Sequence, residues 1–326
     1  MLKYLMSSVQ TILKFLTSSI RTKILLPYFM LILIVGVAGA YIVTYLVSDS
    51  IEEGLDNRLI GASQVVADGV VDQEEERLSV LRHTSLTEGV GLNLQNADYE
   101  KLQELVNPII INNPHIDAIV ILNDEGVETV GFWRSLTSDA LLEPVVQGVS
   151  YLHWQQVRQV LAGEVDDFGD KFTILAIDRD NLEKSILYTV GHVLDDDKVV
   201  GVVLIGMYIK KAMKDLQIKS LANLTLYDLQ GNVIETTFDK NSQDAQKLLA
   251  QKIDVRKVWN DRERQTHKKE INITGIEYTL TFSLFELRGQ SVGIYSVGVP
   301  SAYIDSPLGS HYSLHRRRRF NATYRN

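Results

Sequence analysis

Residues 24–47, ILLPYFMLILIVGVAGAYIVTYLV, run for 24 positions without a charged side chain. At 1.5 Å rise per residue such a helix is about 36 Å long, more than the roughly 30 Å hydrocarbon core of a bilayer. A soluble domain has few ways to hide so long an apolar helix, so residues 24–47 are expected to span a membrane. Lys3, Lys14, Arg21 and Lys23 precede the stretch, and no acid occurs among the first 23 residues. Asp49, Glu52, Glu53 and Asp56 follow it before the first base, Arg58. Basic flanks stay on the cytoplasmic side. Residues 1–23 are therefore expected inside the cell, and everything beyond residue 47 outside it. A cleaved signal peptide is the competing reading, because Ala38-Gly39-Ala40 has the small residues of a cleavage site. The apolar run continues seven residues past Ala40, which favours an uncleaved anchor.

Roughly 280 residues follow the span, room for one large domain or two ordinary ones. The whole chain is 45% hydrophobic and 23% charged, the balance of a folded globular protein. It contains no cysteine, which excludes disulfides, a thiolate nucleophile and cysteine metal sites. The net charge of −8 is spread over the region after the span and argues against nucleic acid as a partner.

Apolar residues at Ile51, Leu55, Leu59, Ala62, Val66, Val70, Leu78 and Leu81 recur at helical spacing. They predict a long stalk helix over residues 48–96, broken near Gly89 to Gly91. A second helix is predicted over 97–111, opened by Asp98 and stopped at Asn112-Asn113-Pro114. Strands then alternate with turns: 116–122 and 127–133 around Asn123-Asp124-Glu125-Gly126, then 172–177, 185–192 and 199–209. Residues 138–162 read as helix, interrupted near Pro144 and Gly148. A helical connector covers 210–218. The strand pattern returns at 221–227, 233–237, 268–273, 276–284 and 290–299, with a polar helix at 242–253. IDAIVILNDEGVETV and ANLTLYDLQGNVIET each give strand, Gly-containing turn and strand, an internal repeat about 105 residues apart. The predicted class is α+β: a transmembrane helix continuing into the stalk helix, then two antiparallel-sheet modules in tandem.

At this level the chain resembles the double Cache ectodomains of prokaryotic membrane sensors, in which two PAS-like modules stand on a long N-terminal helix. The resemblance is carried by IVILNDEGVETVGFWR, LAGEVDDFG and YTVGHVLDDDKVVGVVLIGMYIKKAMKDL in the first module, and by ANLTLYDLQGNVIETT and EYTLTFSLFELRGQSVGIYSVGVPSAYI in the second. It covers residues 48–304. It implies a ligand-sensing role, with a small molecule held in the membrane-distal module (residues 113–217) and a structural membrane-proximal module (218–304). It also implies a homodimer paired through the stalk. The apolar stripe of residues 51–70 is then either the dimer seam or the contact with the modules. Such sensors continue into a second span and an output domain, whereas residues 305–326 here form a basic tail with Arg316 to Arg319 in a row. A truncation or frame shift near Ser306 is one reading of that tail, and a lipid-facing basic segment is the other.

The site expected for a small molecule is an aromatic-walled pocket in the first module, formed by Trp133, Arg134, Tyr151, Trp154, Asp178 and Tyr188. Arg134 would clamp a carboxylate and Asp178 would meet an ammonium, with the rings as walls. Sensors of amino acids are similar in using an arginine, aromatics and a later aspartate, so an amino acid, amine or carboxylate is the expected ligand class. Membrane, ligand and a second copy are the expected partners. No catalytic signature, metal ligand set or cofactor motif is present. The acids Glu164, Asp166, Asp167 and Asp170 read as a solvated loop rather than a calcium site. Gly289-Gln290-Ser291-Val292-Gly293 matches the pattern of a hydrolase nucleophile elbow, with Asp305, His311 and His315 behind it. That elbow requires a helix after the serine, and the residues after Ser291 read as a strand. An anchored hydrolase using Ser291 and a ligand-free structural ectodomain are thus the alternatives to a sensor.

Overall fold

The computed structural model describes residues 20–136, 140, 148–260 and 268–301. The chain divides into two units, Met1–Asn57 and Arg58–Asn326. In the first, the described part opens helix α1, Ile20–Leu86. It contains Pro27–Leu46, 20 residues of mean hydropathy 2.3 that are long and apolar enough to cross a membrane and bury nothing against protein.

The second unit holds the rest of α1 and two five-stranded sheets. In α1 the residues Leu59, Ala62, Val66, Val70, Gln73, Arg77, Leu81 and Thr84 are buried. Their spacing of three or four places them on one face. The helix ends where Gly89 takes a left-handed φ of 90°, and α2 (Val90–Gln95) and α3 (Tyr99–Asn112) follow. Asp98 opens α3 by accepting the Lys101 amide, the N-cap expected from sequence. The first sheet comprises β1 (Ala118–Asn123), β2 (Glu128–Trp133), β3 (Phe172–Ala176), β4 (Ile186–Asp195) and β5 (Lys198–Tyr208), ordered β2-β1-β5-β4-β3. Helix α4 is Gln155–Leu161, and α5 (Ile209–Ser220) leads out of β5. The second sheet comprises β6 (Asn223–Tyr227), β7 (Val233–Thr236), β8 (Lys268–Ile273), β9 (Ile276–Leu287) and β10 (Gln290–Pro300), ordered β7-β6-β10-β9-β8. Helices α6 (Gln243–Ala250) and α7 (Val255–Asn260) lie between β7 and β8 in sequence.

The two sheets have the same topology, and every strand pair is antiparallel. Strands β1 and β6 start at 118 and 223, an offset of 105 residues. Their hairpins share one turn. Asn123 Oδ1 accepts the Glu125 and Val127 amides, and Asp228 Oδ1 accepts those of Gln230 and Asn232. Gly126 and Gly231 supply the positive φ the turn needs, and both hairpins carry a register shift at the same place. The protein is therefore α+β, with two tandem PAS-like modules behind a long helix.

The first sheet is covered on both faces. Ile119, Ile121, Val130 and Phe132 pack on α1, α2 and α3, while Val120, Leu122, Leu204 and Tyr188 face α4. A strand buried on both faces reads as an unbroken apolar run, as AIVILN does. The buried face of α1 serves both modules. Gly69 lies so close to α5 that a Cβ there would come within 2.5 Å of Leu216. Farther along, Gln73 Nε2 donates to the Ala212 carbonyl at 3.2 Å, and Arg77 Nε donates to Thr189 Oγ1 at 3.1 Å. From Leu59 onward this face is thus a helix–module contact.

Two expectations change. Of residues 148–154, read as part of a helix, 148–151 are extended and 152–154 form a turn that leads into α4. The Glu128 amide donates to the Val149 carbonyl and the Tyr151 amide to the Gly126 carbonyl, so the segment's backbone bonds go to β2 and its turn rather than to a helical turn. The rest of the interrupted stretch, 137–139 and 141–147, lies outside the described residues. Among the described residues of that stretch only α4 is helical, ending before Gly163 at φ 70°. Helix α7 was not expected. It is opened by Asp254, whose carboxylate accepts the Arg256 and Lys257 amides. The basic tail also lies outside the described residues.

Candidate functional site

One cavity of about 790 Å³ opens on the α4 face of the first sheet. All six residues singled out from sequence, Trp133, Arg134, Tyr151, Trp154, Asp178 and Tyr188, line it. Trp133 reaches it from the end of β2, Tyr188 from the middle of β4, and Tyr151 and Trp154 from the segment that enters α4. The Tyr151 and Trp154 rings meet edge to face at 5.1 Å, and Trp154 lies 5.7 Å from Tyr188. Gly206 of β5 sits opposite Tyr188, and a Cβ there would stand 2.7 Å from the tyrosine ring. The ring therefore lies flat on the strand because position 206 has no side chain.

Arg134 contributes differently from the other five. Successive strand residues face opposite ways, and Trp133 already points into the cavity. The Arg134 side chain turns instead to the end of α3. Its Nε donates to the Ile116 carbonyl at 2.8 Å, and Nη2 donates to the carbonyls of Ile110 and Asn113. With 6% exposure it caps the carbonyl end of that helix, where a cation is favoured. Its backbone carbonyl accepts from the Tyr208 hydroxyl at 3.4 Å.

Asp178 is half-buried at the cavity edge, in the loop after β3. Its Oδ1 accepts the amides of Asp180 and Asn181 at 3.0 and 2.9 Å, and its amide donates to Ser185 Oγ. The Tyr151 hydroxyl donates to Glu128 Oε2 at 3.1 Å, and Glu128 is only 2% exposed. Burial raises the Glu128 carboxyl above its ordinary range, with the Tyr151 hydrogen bond opposing. Burial, then the neighbouring Glu128 carboxylate, holds the Tyr151 phenol well up, and burial does the same for Tyr188. Both phenols stay neutral. The cavity can thus offer aromatic faces, neutral hydroxyls, one carboxylate and the exposed Lys184.

Sequence reading missed His153, Lys184, Tyr208 and the supporting Glu128. Tyr208 was within reach, since Leu204, Gly206 and Tyr208 alternate on one face of β5. Glu128 was not, because only the bulge in β2 turns it inward.

In the second module other side chains stand at the equivalent positions. Position 238, which is 105 residues beyond Trp133, is Phe238, packed edge to face on Tyr278 at 5.1 Å. Gly298 holds the place of Gly206, and opposite it stands Leu280 instead of Tyr188.

The other candidates from sequence lie apart from the cavity. Asp166 closes a tight turn through the Phe168 amide, and Asp170 pairs with Lys171 and His192. Among the described residues no three metal-ligating side chains converge. Ser291 follows the two-residue turn Arg288-Gly289, both at positive φ, into strand β10, and its hydroxyl donates to Glu286 at 3.1 Å. No helix follows it and the sheet is antiparallel, so the elbow geometry is absent. Asp305, His311 and His315 lie outside the described residues.

Paired antiparallel sheets of identical order behind a long helix are the arrangement of the double Cache fold. The extracellular domain designated vpHK1S-Z8, assigned to a histidine kinase, superimposes with a TM-score of 0.57 at 12% identity, over 86% of this chain and 100% of its own. The sensor domain of the Vibrio cholerae histidine kinase DctB matches with a TM-score of 0.51 at 11% identity, over 77% of this chain and 97% of its own. The ligand-binding domain of the Campylobacter jejuni chemoreceptor Tlp3, solved with 4-methylisoleucine, matches with a TM-score of 0.50 at 13% identity, over 80% and 94%. No protein-family model matches the chain, and no curated protein matches it in sequence.

Proposed function

We propose that this protein is a membrane-anchored extracytoplasmic sensor that binds a small molecule in the cavity of its first module. Residues 24–47 anchor it with the N-terminus in the cytoplasm, residues 113–217 form the membrane-distal module and residues 218–304 the proximal one. The observation that carries the reading is the cavity itself, in which Trp133, Tyr151, Trp154 and Tyr188 wall a space of ligand size with the Asp178 carboxylate at its edge. The Tlp3 neighbour, which shares this fold, is a ligand-binding domain. Aromatic faces and a carboxylate suit an ammonium group, whereas the Arg134 guanidinium is engaged by backbone carbonyls. An amine-bearing molecule is therefore the ligand class we favour over a simple carboxylate. Binding would shift the population between two arrangements of the module, as in any linked two-state receptor.

A thermal-shift screen of amines, amino acids and carboxylates tests this, because a ligand that binds only the folded state raises the melting temperature. The expected hits are amines. Asp178→Asn preserves an oxygen for the Asp180 and Asn181 amides and removes only the charge, so affinity for a hit should fall about tenfold or more, the scale of one lost charge-assisted contact. If no compound shifts the melting point, a ligand-free structural ectodomain replaces the sensor.

A further inference from the structure

The internal repeat exposes a difference that the turns themselves do not require. In the first module Asn123 organises the hairpin turn through Oδ1 alone, so an amide is sufficient for that task. In the second module the same position is a carboxylate, Asp228. Its Oδ1 repeats the Asn123 bonds, and its Oδ2 accepts both from Asn232 Nδ2 within the turn at 2.9 Å and from Arg179 of the first module at 3.2 Å. Burial tends to raise the Asp228 carboxyl, yet hydrogen bonds from Asn232, Arg179 and Gln230 hold it below the usual carboxylate range. Arg179 belongs to the loop between β3 and β4. The residue before it, Asp178, lines the cavity, as does Lys184 at the loop's far end. The loop is tied internally by Asp178, by Asn181 Oδ1 accepting the Glu183 amide, and by Ser185. It is tied again to α5 by the ion pair of Glu183 with Lys210 at 2.7 Å. A loop so braced moves as one piece.

We infer that the loop over residues 178–185 transmits occupancy of the cavity to the second module, with the Arg179–Asp228 contact as its coupling point. This rests on the cavity being the sensing site. A group that engages Asp178 repositions the loop, Arg179 moves with its neighbour, and the β6–β7 turn loosens or tightens as Asp228 gains or loses Arg179, with Gln230 and Asn232 still bound to it. The contact is exposed on the Arg179 side (63%) and buried on the Asp228 side (4%), so it can break without unfolding either module.

The absence of cysteine allows a test that needs no natural ligand. Ala176→Cys places one thiol in the cavity wall. Reaction of the full-length chain in nanodiscs with 2-aminoethyl methanethiosulfonate then sets an ammonium beside Asp178. Hydrogen exchange is read on peptides covering residues 228–236. We expect labelling to change exchange of the Gln230 and Asn232 amides at least about threefold, a shift in a local opening equilibrium. The response should vanish in Asp228→Asn, which keeps the turn as Asn123 does, and in Arg179→Gln, an exposed position. Complete labelling with no change at the turn overturns the inference, as does an equal response in Asp228→Asn. Failure of the amine screen alone would count against the ligand class and leave this coupling standing.

Discussion

At the scale of single residues, glycine and a buried acid shape the cavity. Gly206 is needed because Tyr188 lies across it, with Ile186 also within 2.9 Å of any added Cβ. Gly206→Ala should therefore cost about 1–3 kcal/mol through overpacking, measured by urea denaturation, and should weaken ligand binding by displacing the ring. Glu128 gives a pH-dependent prediction. Its folded-state carboxyl binds a proton more tightly than an ordinary carboxyl, the phenols of Tyr151 and Tyr188 being the titratable groups that face it. Proton binding by the folded state stabilises it at low pH, and that contribution is lost as pH rises and the unfolded chain ionises first. Glu128→Gln cannot ionise and its amide oxygen still accepts from Tyr151. Its melting temperature relative to the parent should rise by about 2–4 °C between pH 4 and pH 8. A constant difference across that range would show that Glu128 does not carry the effect. The aromatic members of the site were legible as residue types in a short stretch of strands and turns. The direction of Arg134 was not, because strand alternation next to Trp133 decides it only once the strand's facing is known.

At the scale of elements, α1 is the piece whose packing matters most. Its buried face includes Arg77, fully buried, with Nε on Thr189 directly behind the cavity residue Tyr188. Burial lowers the Arg77 guanidinium to about 10, with Glu74 and Glu76 opposing. Removing the side chain should be severe. Arg77→Ala is expected to cost about 3–5 kcal/mol, since it empties the site and leaves Glu74 buried without its neighbour. Arg77→Met keeps most of the volume and should cost less than half as much. Equal losses in chemical denaturation would mean that charge, not packing, governs the contact. The period of this helix was plain in the sequence, including its break at Gly89. Residues 148–151 were misread as helix because the bonds that hold them extended come from β2 and its turn, partners that sequence spacing does not reveal.

At the scale of the whole molecule, the two modules share a topology and differ in what fills one face. Trp133, Tyr188 and Gly206 border a cavity in the first, and Phe238, Leu280 and Gly298 stand at the corresponding places in the second. The proposed anchor makes a separate prediction. The full chain should stay with the membrane fraction through an alkaline wash, and a chain starting at residue 48 should be released, because among the described residues only the stretch containing Pro27–Leu46 is long and apolar enough to span the bilayer. Release of both would sink the anchor.

The sequence by itself determined most of the elements, the strand order along the chain and the duplication, and missed α7 and the extended segment before α4. Apolar periodicity, capping residues and turn glycines act over a few positions and leave their mark in composition. Only the tertiary structure decided which face of each strand meets the helices, which arginine is consumed as a helix cap and which aspartate reaches across to the neighbouring module. Those outcomes depend on groups far apart in the chain coming within a few ångströms, and on competition for the same partner, which local patterning does not encode.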